Sequence, residues 1–241
     1  MNFAITLADP SRPTVADFHR VNRGGGLFSE SVSQWIGAVF AMIAQRLGLR
    51  PTALTLTNLV LGLAASVTVV ALAGKVAGGT VPAWVVGLVA LVVWQIAYAL
   101  DCADGQLARV TGQGSAAGAR VDVLCDVAAQ IALVAALGAT AVAQRPSTPT
   151  WLVAVFAGTW MVNLVTSVMQ AGPNAASMVT STSLPVRLVK LVRDYGAVIF
   201  LAGLVLALAP ALTVWLIVAF TIVNGGFLLA SIAFSARASL R

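Results

Sequence analysis

Charge is what this sequence has least of. Only 9% of its 241 residues are Asp, Glu, Lys or Arg, where an ordinary soluble domain carries about 25%. Cysteine occurs twice, as Cys102 and Cys125, and histidine once, as His19. Those counts exclude a disulfide framework and a zinc centre built from CxxC pairs, and His19 reads as a surface residue. Lys/Arg runs interleaved with aromatics are absent, so a net charge of +6 does not point to nucleic acid. Strict apolar/polar alternation is also missing, which excludes an outer-membrane barrel. No internal repeat is visible. The first 28 residues contain no long apolar core, so no cleaved signal peptide is read there.

What fills the chain instead is apolar. Hydrophobic residues make up 59% of it, and its mean hydropathy is +0.95. One water-soluble globule cannot bury that much apolar surface, so the expectation is an integral membrane protein. A spanning helix needs about 20 mostly apolar residues, and six stretches qualify: Leu54–Ala73, Ala83–Leu100 with a polar continuation to Val110, Val121–Ala143, Trp151–Gln170, Val186–Ala209 and Ala211–Phe234. In lipid they must be helices, because no water is present to satisfy free backbone groups.

The basic residues orient these spans. With the amino terminus inside, Arg12, Arg20, Arg23, Arg46, Arg50, Arg109, Arg120, Arg187, Lys190, Arg193, Arg237 and Arg241 fall on the inner side, and only Lys75 and Arg145 on the outer. This asymmetry predicts insertion in the cytoplasmic membrane with both termini cytosolic. Before the first span, Val32, Trp35, Ile36, Val39, Phe40, Ile43 and Leu47 recur at three-four spacing. They predict an amphipathic helix lying along the inner leaflet or packed on the bundle, with Ser31 and Gln34 as its capping box. The expected organisation is a cytoplasmic segment over 1–28, an interfacial amphipathic helix over 29–48 and an all-α, six-transmembrane-helix bundle over 49–241.

The few acids are not scattered. Of eight, Asp101, Asp104, Asp122 and Asp126 fall within 26 residues, where the second span ends and the third begins. Ionisable residues at membrane depth are costly and usually functional. Asp101, Asp104, Gly105 and Ala108 share one helix face, as do Gly118, Asp122 and Asp126 on the next helix. The polar linker Thr111–Ala117 is short enough to make the two helices antiparallel neighbours. Two pairs of carboxylates then face each other near the cytoplasmic edge, beside residues with almost no side chain. Two divalent cations would offset four negative charges. All-oxygen ligation suits Mg²⁺, Mn²⁺ or Ca²⁺, and a metal pair about 3.5–4 Å apart is the usual device for displacement at phosphorus.

The run Asp101-Cys-Ala-Asp104-Gly105-Gln-Leu-Ala108-Arg109, followed by Gly118, Asp122 and Asp126 at fixed spacing, resembles the signature of the CDP-alcohol phosphotransferase family. The resemblance covers roughly Arg20 to the C-terminus, as architecture outside the signature. It implies transfer of a phosphoalcohol group from a CDP-alcohol, such as CDP-diacylglycerol, to an acceptor hydroxyl, releasing CMP, in phospholipid synthesis. It implies two divalent cations, Mg²⁺ or Mn²⁺, held by Asp101, Asp104, Asp122 and Asp126. Asp126 would also act as the general base. Gly105, Ala108 and Gly118 would border the nucleotide, Arg109 would support the site, and the protein would be a homodimer. The family often carries Pro-Asn-x-x-Thr at the first span. Here Pro51 and Thr55 match, and Thr52 stands in place of the asparagine, where a nucleotide contact is expected. Asn22-Arg23-Gly24-Gly25-Gly26 and Arg193-Asp194-Tyr195 look more like the branch handling inositol or sugar-like alcohols.

Arg187, Lys190 and Arg193, before the fifth span, read either as positive-inside anchoring or as a contact for an anionic group on the acceptor, with Asp194 as their salt-bridge partner. Two other readings remain at this level. A soluble CDP-alcohol donor of the CDP-inositol type would use the same chemistry. A cation-coupled transporter would use the aspartates as its ion site, although such sites usually lie near the midplane at a repeat interface.

Overall fold

The computed structural model describes residues 13–22, 25–170 and 194–240. Every regular element among them is helical. A short helix α1 (Val15–Arg20) is followed by a π-helical turn over Ser29–Ser33, which runs directly into α2 (Gln34–Arg46). Then come α3 (Pro51–Ala77), α4 (Ala83–Thr111), α5 (Ala116–Gln144), α6 (Thr150–Gln170), α7 (Tyr195–Leu208), a 3₁₀ turn (Pro210–Leu212) and α8 (Thr213–Ser239).

The boundaries follow local chemistry. Pro51 opens α3 and Pro210 opens the 3₁₀ turn, positions where a missing N–H costs nothing. Gly112, at φ +67°, closes α4 in the left-handed conformation that favours glycine. Thr57 and Thr68 sit inside the apolar α3 because each hydroxyl bonds the carbonyl four residues earlier.

Among the described residues, α3, α4, α5 and the stretch Pro210–Arg237 are long and apolar enough to cross a membrane. Thr150–Val162 and Tyr195–Leu208 are shorter apolar helices. The start of the fifth expected span, residues 186–193, lies outside the described residues.

The chain divides into two units. The first takes in Met1–Leu63, Val92–Ala129 and Arg187–Phe200, the second Ala64–Leu91, Gln130–Val186 and Leu201–Arg241. Within the first, α1 packs on α2. Phe18, Ala38, Ala41, Ala44, Leu54, Leu100, Ala103 and Leu107 form its core. The small side of α2 faces inward. A Cβ on Gly37 would sit 2.9 Å from the Ala99 carbonyl oxygen, so α2 lies directly against α4. The large apolar stripe (Trp35, Ile36, Val39, Ile43 and Leu47) points outward.

Two local expectations are corrected here. Ser31 is not a helix cap, because the chain is already helical through Ser29–Ser33. The capping box lies instead at α1, where the Thr14 N–H and hydroxyl donate to Asp17 Oδ2 at 2.9 and 2.7 Å. His19 is not a free surface residue: its ring stacks on Trp35 at 3.8 Å.

In the second unit α6 packs on α8. Buried Trp160 meets Phe156 and Phe220 edge-on at 5.6 and 5.5 Å, and its indole N–H donates to Gln130 Oε1 at 3.0 Å. Gly87 and Gly203 admit close crossings. Their Cβ atoms would fall 2.2 Å from the Ala207 backbone nitrogen and 2.5 Å from Leu91 Cβ.

Candidate active site

The acidic site is built where α3, α4 and α5 pass through the first unit. Asp101 and Asp104 are one helical turn apart on α4, and Asp122 and Asp126 one turn apart on α5. The connection between these helices is only Gly112–Ser115, so the two faces converge. One carboxylate oxygen from each of Asp101, Asp122 and Asp126 lies within 4.8 Å of the others. Asp101 lies within electrostatic reach of Asp126, Asp104 and Asp122. All three residues are half-buried. Three converging carboxylates form an all-oxygen donor set, which fits a hard divalent cation and not a soft one.

Asp104 is placed differently. It is buried, and its Oδ2 accepts a hydrogen bond from the Thr55 hydroxyl. It remains within electrostatic reach of Asp122 and Asp126.

The remaining signature residues line the same region. The Arg109 guanidinium lies over Gly105, where a Cβ would be 2.9 Å from Nη1, and it acts on the charge of Asp122. Any side chain at position 105 would displace that guanidinium. Ala108 is half-buried. Gly118 donates its N–H to the Ser115 hydroxyl at 3.0 Å, within the first turn of α5. At the start of α3, Pro51 is half-buried, Thr52 is exposed and Thr55 is buried. The structure therefore turns Thr55 onto Asp104. Arg187, Lys190 and Arg193 lie outside the described residues.

Asp194, next to that run in the sequence, is itself described and buried. It is 4% exposed, and its oxygens accept from the Ser29 hydroxyl, the Ser29 N–H at 3.0 Å and the Gly196 N–H at 3.1 Å. The last bond caps the start of α7. Gly26 packs so tightly on this carboxylate that a Cβ would fall 2.3 Å from Oδ2, which accounts for a glycine there. Ser29 also bonds the Tyr98 hydroxyl at 2.9 Å, and Tyr98 meets Tyr195 edge-on at 5.1 Å. Tyr195 in turn lies within electrostatic reach of Asp126 and Asp101.

Sequence reasoning missed Asn58, whose Nδ2 donates to Asp101 Oδ1 at 3.3 Å. The available signal was an amide three residues beyond Thr55, on the same face of an otherwise apolar span.

Long apolar helices carrying converged carboxylates define an all-helical membrane protein with a centre suited to hard cations. The chain belongs to the CDP-alcohol phosphatidyltransferase family, whose sequence profile matches residues 48–231. Members are transferases of substituted phosphate groups that move a phosphatidyl group from a CDP-alcohol to a hydroxyl acceptor and typically depend on divalent cations. No curated protein matches the chain.

Proposed function

We propose that this protein transfers the phosphatidyl group of a lipid-linked CDP-alcohol, CDP-diacylglycerol, to an acceptor hydroxyl and releases CMP in phospholipid synthesis. The observation that carries this reading is the convergence of Asp101, Asp122 and Asp126 within 4.8 Å. Apolar helices α4 and α5 with their acids toward the short connection between them suit a donor whose acyl chains stay in the bilayer while its nucleotide reaches the carboxylates. Six spans, cytosolic termini and a cytosolic-facing site follow from the distribution of Lys and Arg. The outward apolar stripe of α2 favours its placement in the inner leaflet. A homodimer belongs to the same reading.

Asp101, Asp122 and Asp126, with Asp104 beside them, are the residues that would hold two divalent cations, Mg²⁺ or Mn²⁺. Such cations supply neutralisation of the pyrophosphate and make CMP a better leaving group. Asp126 accepts the proton of the attacking hydroxyl. The acceptor oxygen forms a bond to the phosphorus that carries the alcohol, the P–O bond to CMP breaks, and the electron pair leaves with CMP. Gly105, Ala108 and Gly118 leave space for the nucleotide against the helix backbones, and Pro51, Thr52 and Thr55 close its edge. Arg109 holds its charge beside Asp122. The run Arg187, Lys190 and Arg193 contacts an anionic group on the acceptor.

Asp126→Asn tests the assignment of the base. CMP release should fall roughly 10²–10⁴-fold with CDP binding retained. Unchanged turnover would remove the base role, and lost CDP binding would make Asp126 a ligand alone.

A further inference from the structure

Asn58 lies in α3 between Leu54 and Leu61, is 5% exposed, and is the one primary amide of that helix. A threonine in an apolar helix can satisfy its hydroxyl on its own backbone, as Thr57 and Thr68 do. An asparagine amide takes its partner from elsewhere, and a buried amide without one is costly in an apolar medium. Here the partner is Asp101 Oδ1 at 3.3 Å. One turn earlier, Thr55 makes the corresponding bond to Asp104. Two neighbouring side chains of α3 therefore each hold one of the two aspartates of α4.

We infer that Asn58 is a positioning residue for Asp101, fixing the rotation of that carboxylate so that one of its oxygens faces Asp122 and Asp126. The chemistry suits the task. A carboxylate has two oxygens with two lone pairs each, so one N–H donor on Oδ1 leaves lone pairs for the cluster. An amide also adds no fifth negative charge beside four carboxylates, and it holds its orientation through the packing of α3. Groups that bond a ligating side chain from behind commonly change metal affinity by about 10–100-fold when removed. The inference rests on the cation-binding reading proposed above and extends it to a residue outside the family signature.

The test is Mn²⁺ binding by the purified full-length protein in detergent, read by the loss of the free Mn²⁺ paramagnetic resonance signal. Asn58→Leu keeps the volume and removes the donor, and it should weaken binding about 10–100-fold. Thr57→Val, on the exposed side of the same turn, should leave binding as in the unsubstituted protein. In an Asp101→Asn background, adding Asn58→Leu should change binding no further. If Asn58→Leu is not monodisperse, Asn58→Ala is measured in its place. Failure of both to fold, or binding equal to the unsubstituted protein, overturns the positioning role and leaves Asn58 a helix-packing residue. Absence of Mn²⁺ binding by the unsubstituted protein is distinguishable from this, since it overturns the cation reading itself and the inference with it.

Discussion

Among the described residues, the two units of this protein differ in how far their polar side chains reach. In the second, hydroxyls turn back onto their own helices: Thr140 bonds the Ala136 carbonyl, Thr159 that of Val155 and Thr221 that of Ile217. The bond from Trp160 to Gln130 does cross between helices. In the first unit Thr57 and Thr111 also bond their own helices, but further bonds cross between elements: Thr55 to Asp104, Asn58 to Asp101, Ser29 to Asp194, and Gln106 to Asn22 and to the Gln34 carbonyl. The acids follow the same division, since every Asp and Glu of the chain falls within the segments of the first unit. A hydroxyl satisfied on its own helix leaves that helix free to slide or rotate. A bond across helices sets their rotation and register, which is what a constellation of carboxylates requires.

The largest expected effect comes from removing charge in the first unit while keeping its shape. Asp104→Asn leaves Thr55 an oxygen to bond but takes away a negative charge. CMP release in a Mg²⁺- or Mn²⁺-supplied assay should be abolished with the melting temperature little changed. Full activity would remove Asp104 from the site. In the second unit, Trp160→Phe keeps the aromatic packing and strands Gln130 Oε1. That should cost about 1–3 kcal/mol of stability, read by thermal unfolding in detergent, with activity retained below the unfolding range. A loss of activity as large as that of Asp104→Asn would break the contrast between the units.

The smallest effect is a pH dependence at the edge of the first unit. Bonds from the Thr14 backbone N–H and hydroxyl, aided by Arg20, hold the Asp17 carboxyl below its ordinary range against the opposing effect of burial. A group whose folded pKa is depressed stabilises fully above its unfolded value, and that contribution is lost as pH falls through the folded value. Hydrogen-exchange protection of α1 should therefore weaken on acidification below the ordinary carboxylate range. Asp17→Asn should flatten the dependence, and an unchanged pH profile in that variant would assign it to another group.

Much of this was legible in the sequence because of how little charge there is to distribute. The apolar lengths of α3, α4 and α5 and the one-turn spacing of the aspartates are both periodic signals, and periodicity survives in a linear string. The amphipathic segment before the first span was also visible, but its sense was not. Small residues such as Gly37 and Ala41 look like a bland polar-side filler in sequence, yet they are the face that packs on α4. Asn58 and Asp194 escaped for a related reason. Each has its meaning in a partner distant along the chain, Asp101 in one case and Ser29 in the other.

The sequence alone determined the membrane class, the family signature and which four aspartates share two helix faces, because each depends on composition or on spacing within one helix. The tertiary structure decided which carboxylates converge. It drew Asp101, Asp122 and Asp126 together and tied Asp104 to Thr55. That choice depends on the rotation of α3, α4 and α5 about their own axes, and rotation is set by side chains meeting across helices, which no spacing along a single helix records.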